Sequence, residues 1–263
     1  MNSRDMKILS NLLWFKRMTI QQIADLNCHD LKSAYRTAQY CMNRLEKAGL
    51  VTYKLYSTSH RGRRYYQLTK KGALECAALY NMELEELPWS PKEDVTVGHI
   101  EHQEMTNNTL IALARAYPVE WIQNEYRLAL DEGKKPTYLA PDGAGIIKLK
   151  PNMFTPFTLE LDRSATQSVK SFELKFLKHD QLVITGKHVE PFRKPPVHLI
   201  VTRNESRLNR IWDYLSTRQG TKGTYLLTTY EKIIERPTSA CWNITGYDKG
   251  VKVSLSQVGY KTE

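Results

Sequence analysis

Between residues 31 and 48, Ala34, Ala38, Cys41, Leu45 and Ala48 recur at three- and four-residue spacing, so a helix there buries one narrow stripe. The opposite face carries Lys32, Ser33, Arg36, Thr37, Tyr40, Asn43, Arg44 and Lys47. Gly49 ends the helix, because the left-handed closing conformation disfavours a Cβ. Upstream, Thr19 reads as the cap of a short helix, TIQQIADL, with Ile20, Ile23, Ala24 and Leu26 turned inward. Gln22 stands at the third position after that cap, as a capping box requires. Asn27 to Asp30 make the turn between the two helices. Downstream, Val51, Tyr53 and Leu55 alternate as a strand does, STSHRGRR turns the chain, and Tyr65 to Leu68 return as a second strand.

Two flanking segments complete a module. Arg4 to Lys16 arranges Met6, Ile8, Leu9, Leu12, Leu13 and Trp14 about one dominant apolar face, and Thr69 caps a further helix that closes near Met82. Two helices, a turn and a hairpin in this order predict a winged helix-turn-helix over residues 1–84. The charge distribution agrees. The chain of 263 residues has a formal net charge of +10. Residues 1–72 hold 14 Lys and Arg against 4 Asp and Glu, which leaves 24 against 24 for the rest. Charge carried for solubility alone would be spread evenly; a basic module suits phosphate contacts and fast encounter with a polyanion.

In such a module the second helix of the pair enters the major groove. Arg36 is the residue expected to read a guanine, since one guanidinium can bond O6 and N7 together. Ser33, Thr37 and Tyr40 are candidates for bases or backbone, and Lys32, Arg44 and Lys47 for phosphate. At the hairpin, His60, Arg61, Arg63 and Arg64 suit phosphates or a minor groove. The expected partner is double-stranded DNA; a winged helix used only for protein contact leaves the confined charge unexplained.

Residues 85–98, with two prolines and a cluster of acids, read as a linker. Residues 99–263 then form a second domain. An amphipathic helix from His99 to Tyr117 is followed by strands ending near Glu125, around Asp142 and through Asp162. Ala165 to Ile184 is helical, VHLIVT a strand, Glu205 to Leu215 a helix and GTYLLTT a strand. This order implies an α/β sheet with helices over its faces, and an α+β chain as a whole.

Within that domain, Glu160 and Asp162 lie two apart on a strand and share a face, and a neighbouring strand could bring Asp142 beside them. Three converging carboxylates need a cation, and Mg²⁺ is the natural one. Such a site supports phosphodiester cleavage.

Several classes are excluded or disfavoured. No apolar run approaches the roughly 20 residues of a membrane span, and the amino terminus lacks a signal-peptide cleavage site, which predicts a cytoplasmic chain. Cys28, Cys41, Cys76 and Cys241 are too scattered for a disulfide framework or metal knuckle and read as small core residues. There is no P-loop for an ATP-driven role and no His-hydrophobe-His pair of a rolling-circle relaxase. His99 and His102 sit one helical turn apart without a third ligand nearby.

The run PDG, then TLELDRS, then a Lys-bearing helix resembles the PD-(D/E)xK nuclease core. The whole layout is similar to the replication-relaxation family of plasmid and other mobile-element proteins, which join an amino-terminal winged helix to a domain with PDG and ELDR-type signatures. The resemblance implies a role in replication or relaxation of plasmid DNA, beside replication or relaxosome proteins. The wing, the polar helix face and the segregated charge also suit a phage factor or transcriptional control at the protein's own promoter, with a homodimer a compatible state. The alternative that the resemblance implies is a Mg-dependent nuclease or nickase. One departure matters: the nuclease pattern puts Lys two residues after the Glu, where this chain has Asp162. Lys170, Lys175 or Lys178 could reach back from the next helix, and Lys175 is the one expected to do so. A domain retained for binding, without catalysis, or serving as an oligomerisation platform, fits the same departure.

Overall fold

The computed structural model describes residues 1–56, 62–90, 96–131, 135–164, 168–218, 220, 222–239 and 241–261. Two compact units divide the chain, Met1–Ile111 and Ala112–Glu263. The division falls inside a helix rather than in residues 85–98.

The first unit opens with α1, Ser3–Phe15, whose cap Asn2 and third-position Asp5 form a reciprocal capping box. Strand β1, Met18–Thr19, leads into α2, Ile20–Asn27, and the box between Thr19 and Gln22 is present. Helix α3 spans Ala34–Lys47, three residues shorter at its start than the spacing predicts, with residues 31–33 in turns and Ser33 as an unbonded cap. Ala38, Cys41, Met42 and Leu45 are its buried stripe, while Ala48, expected inside, is exposed. Gly49 takes a φ of 70°, and the Leu50 N–H donates back to the Leu45 carbonyl at 3.0 Å, closing the helix as a Schellman motif does.

Strands β2, Val51–Tyr56, and β3, Arg63–Leu68, pair antiparallel from Val51↔Leu68 to Tyr56↔Arg63. β1 pairs with β3 on its other side. Helix α4, Lys70–Tyr80, starts at Thr69, whose hydroxyl accepts from the Gly72 N–H at 3.1 Å. A Cβ on Gly72 would lie 2.0 Å from the Leu50 carbonyl oxygen, so only glycine lets α4 seat there. The proposed linker is partly packed: Leu84–Glu86 form a 3-10 turn, Leu87 is buried, and the Trp89 indole donates to the Leu68 carbonyl at 3.5 Å. Residues 91–95 lie outside the described residues.

Helix α5, Val97–Ala116, belongs mostly to this first unit. Its buried Asn107 donates to the carbonyls of Phe15 (3.3 Å) and Arg17 (2.6 Å), and Gln22 donates to Asn108 at 2.7 Å. Buried amides paired this way hold orientation as well as area.

The second unit is a mixed sheet flanked by helices. Its strands are β4 (Val119–Asn124), β5 (Leu128–Ala129), β6 (Tyr138–Leu139), β7 (Gly143–Lys150), β8 (Met153–Asp162), β9 (Val197–Thr202), β10 (Thr224–Thr229), β11 (Trp242–Ile244), β12 (Lys252–Val253) and β13 (Tyr260–Lys261). The helices are α6 (Glu173–Ile184), α7 (Val189–Phe192), α8 (Glu205–Thr217) and α9 (Tyr230–Glu235). Among the described residues the main sheet runs β12-β11-β10-β9-β8-β7-β4, with β13 on β8 and a separate β5-β6 pair. β8, β9 and β10 are parallel and the other pairings antiparallel, so the sheet is less uniformly α/β than the element order implies. The molecule is α+β.

Pro156 sits inside β8, where a proline usually breaks a ladder. Here β13 pairs only as far as Phe154 and β9 begins opposite Phe157, so no neighbour on that side needs its missing N–H. On one face of the sheet, Phe172, Phe176, Leu208, Ile211 and Leu215 pack on Ile200, Tyr225 and Leu227. That packing seats α6 and α8 over β9 and β10.

Candidate functional site

On α3 and the turn before it, Lys32, Ser33, Arg36, Tyr40, Asn43, Arg44 and Lys47 are exposed and Thr37 is half-buried. Tyr40 is the more open of the two exposed aromatic side chains there, at 67%; the other is Tyr35, which spacing alone does not single out. The arginines differ in how they are held. Arg44 Nε donates to Asp5 Oδ2 at 3.1 Å, and its Nη2 pairs with the same carboxylate, which is buried on α1. Arg63 pairs with Glu104 of α5, which also accepts from the Tyr65 hydroxyl. Burial and then the Glu104 carboxylate push the Tyr65 phenol far above its ordinary value, so it remains a donor. The Arg64 guanidinium lies 4.3 Å over the Tyr53 ring. His60 and Arg61 fall outside the described residues.

In the second unit, Asp142 immediately precedes β7, and its Oδ2 accepts the Leu161 N–H of β8 at 2.7 Å. Its carbonyl accepts from Glu125, a residue at φ 51°, an uncommon setting for glutamate. Glu160 is buried on β8, and Lys175 reaches back from α6 to pair with its Oε2. Burial works against the Lys175 ammonium, but Glu160, then Asp142 and Asp162, outweigh it and hold its pKa above the ordinary range. Asp142, Glu160 and Lys175 are thus brought together.

Asp162 goes elsewhere. Its Oδ2 pairs with Arg207 of α8, which is fully buried, and its Oδ1 accepts the Ser164 N–H at 2.8 Å. Among the described residues no three His, Cys, Asp or Glu side chains are grouped so as to hold a metal ion.

Residue spacing misses three neighbours of Glu160. His179 Nε2 is 3.3 Å from Glu160 Oε1, and behind it lie Thr158 and His198. Burial, then the Lys175 charge, push His179 down to about 3, so its ring is neutral. A signal existed for His179, four residues after Lys175 on one helix face; none existed for Arg207. All four cysteines are free and buried, and no helix among the described residues is long and apolar enough to cross a membrane.

Residues 9–191, well over half of the chain, match the family described as Replication-relaxation, and the chain belongs to that family. Comparison with curated proteins and with solved structures gives no match.

Proposed function

We propose that the protein binds double-stranded DNA of a plasmid, phage or other mobile element and acts in its replication or relaxation. The observation that carries this reading is the confinement of the excess positive charge to residues 1–72, where α3 and the turn before it leave Lys32, Arg36, Tyr40 and Lys47 exposed. Family membership supports the setting. In this reading α2 and α3 are a helix-turn-helix, β2 and β3 its wing, and Arg36 reads the major groove while Lys32 and Lys47 meet phosphates. Arg44, Arg63 and Arg64 reach DNA only by leaving or sharing Asp5, Glu104 and Tyr53. A gel shift at fixed salt tests it: Arg36→Ala should weaken binding strongly, and unchanged affinity overturns the docking.

The gathering of Asp142, Glu160 and Lys175 favours a second reading, a metal-dependent nickase directed by the first unit. Asp142 and Glu160 would hold Mg²⁺, which when bound supplies positive charge at the scissile phosphate and acidifies a water. Lys175 would give up part of its bond to Glu160 and orient the attacking water. Asp162, committed to Arg207, is in this reading a structural anchor. Supercoiled plasmid incubated with the protein and Mg²⁺ or Mn²⁺ should be nicked, and Glu160→Gln or Lys175→Met should abolish it. Equal nicking by the variants removes this reading and leaves the binding reading standing.

A further inference from the structure

Behind Glu160 runs a row of buried polar side chains that neither the core nor the phosphate-facing groups use. Thr158 stands two residues before Glu160 on the same face of β8, and its register partner on β9 is His198. His179 comes from α6 and reaches both Thr158 and Glu160. Thr158 Oγ1 is 2.8 Å from His198 Nδ1 and 3.5 Å from His179 Nδ1, while His179 Nε2 is 3.3 Å from Glu160 Oε1. The two imidazole centroids are 4.2 Å apart, and all three side chains are shut off from solvent. Among the described residues His198 Nε2 has no hydrogen-bond partner, and it faces Gly223, where a Cβ would come within 2.8 Å of it.

These contacts assign the protons. A carboxylate only accepts, so His179 carries its proton on Nε2 and donates to Glu160. Its Nδ1 is then an acceptor and takes the Thr158 hydroxyl. The hydroxyl oxygen in turn accepts from His198 Nδ1–H, which leaves a lone pair rather than an N–H on His198 Nε2 above Gly223. Reversing the row would bury an orphan donor there and set the Thr158 oxygen lone pairs against His179 Nδ1. A buried orphan donor is the rarer and costlier defect.

We propose that this directed row, from His198 through Thr158 and His179 to Glu160, makes His179 a positioning residue that holds Oε1 from behind and keeps Oε2 turned to Lys175 and to the cation of the nickase reading. The catalytic consequence rests on the nickase reading; the proton arrangement does not.

The test has two arms on the full chain. Long-range ¹⁵N–¹H correlation spectra at neutral pH, assigned with His179→Gln and His198→Gln, should show His179 as the Nε2–H tautomer and His198 as the Nδ1–H tautomer. Thr158→Val, nearly isosteric, should leave His179 as the Nε2–H tautomer, held by Glu160, and turn the His198 signal into a mixture of tautomers. A His179 protonated on Nδ1, or a His198 indifferent to Thr158→Val, overturns the proposal whether or not DNA is cut. In the second arm, His179→Leu should lower the kcat of plasmid nicking about tenfold with KM unchanged, and His179→Gln, which keeps a donor, should recover most of it. Nicking by His179→Leu at the parent rate also overturns the proposal. Absence of nicking by the parent overturns the nickase reading instead, and the spectra then decide the row.

Discussion

Arg36 and Arg44 lie on one helix with the same outward exposure class, yet their surroundings assign them different work. Arg36 points outward, whereas Arg44 neutralises Asp5, a carboxylate buried on α1. Arg36→Ala should therefore cost about tenfold or more in DNA affinity and leave the thermal midpoint in place. Arg44→Ala should lower the midpoint, because Asp5 loses its counter-charge; gel shifts and thermal melts on the same preparations separate the two. His198 makes a second prediction. Burial, then the neighbouring His179, hold its pKa well below the ordinary 6.5, with Asp180 acting in the opposite direction. Thr158 and Tyr225 are the other polar groups against it. As pH falls below 6.5 the unfolded chain takes up a proton that the folded chain refuses. The stability contribution is thus full above pH 6.5 and lost below it, by up to about 1.4 kcal/mol per pH unit. Denaturation midpoints between pH 7.5 and 5 should fall less steeply for His198→Gln than for the parent.

Helices and strands are held by a few contacts whose loss is measurable. Gly72→Ala pushes a methyl group into the Leu50 carbonyl and should cost about 1–3 kcal/mol as α4 is displaced from β2. Arg207→Ala strands the Asp162 carboxylate at the end of β8 and should cost about 3–5 kcal/mol, both read by urea denaturation. The elements most legible from sequence were those with local start and stop signals. Thr19 with Gln22, Gly49, and Thr69 before α4 each act within four residues of themselves. Short pairings were not legible: Met18 and Thr19 join β3 only because Tyr65 and Tyr66 return beside them. Pro156 lies within a strand that the sequence does predict, and its tolerance depends on where β9 starts and β13 stops.

Taken whole, the protein separates a basic amino-terminal region from a carboxy-terminal region of balanced charge. If Lys32 and Lys47 each neutralise one phosphate, replacing either by Ala should reduce the slope of log affinity against log salt by about 0.9. Titrations at several salt concentrations check this, and an unchanged slope removes that lysine from the interface. Charge segregation, helix periodicity and the positions of Asp142, Glu160 and Lys175 are properties of nearby residues, and they were present in the order of amino acids. The assignment of partners was not. Asp162 belongs to Arg207, Glu160 to His179 as well as Lys175, Arg63 to Glu104, and most of α5 to the first unit. Apart from Glu160 with Lys175 and His179, these pairings join residues far apart in the chain, and packing chooses among the many cations and amides that could have served. Spacing could therefore name the carboxylates, while the folded sheet and its helices decided which cation or N–H each of them meets.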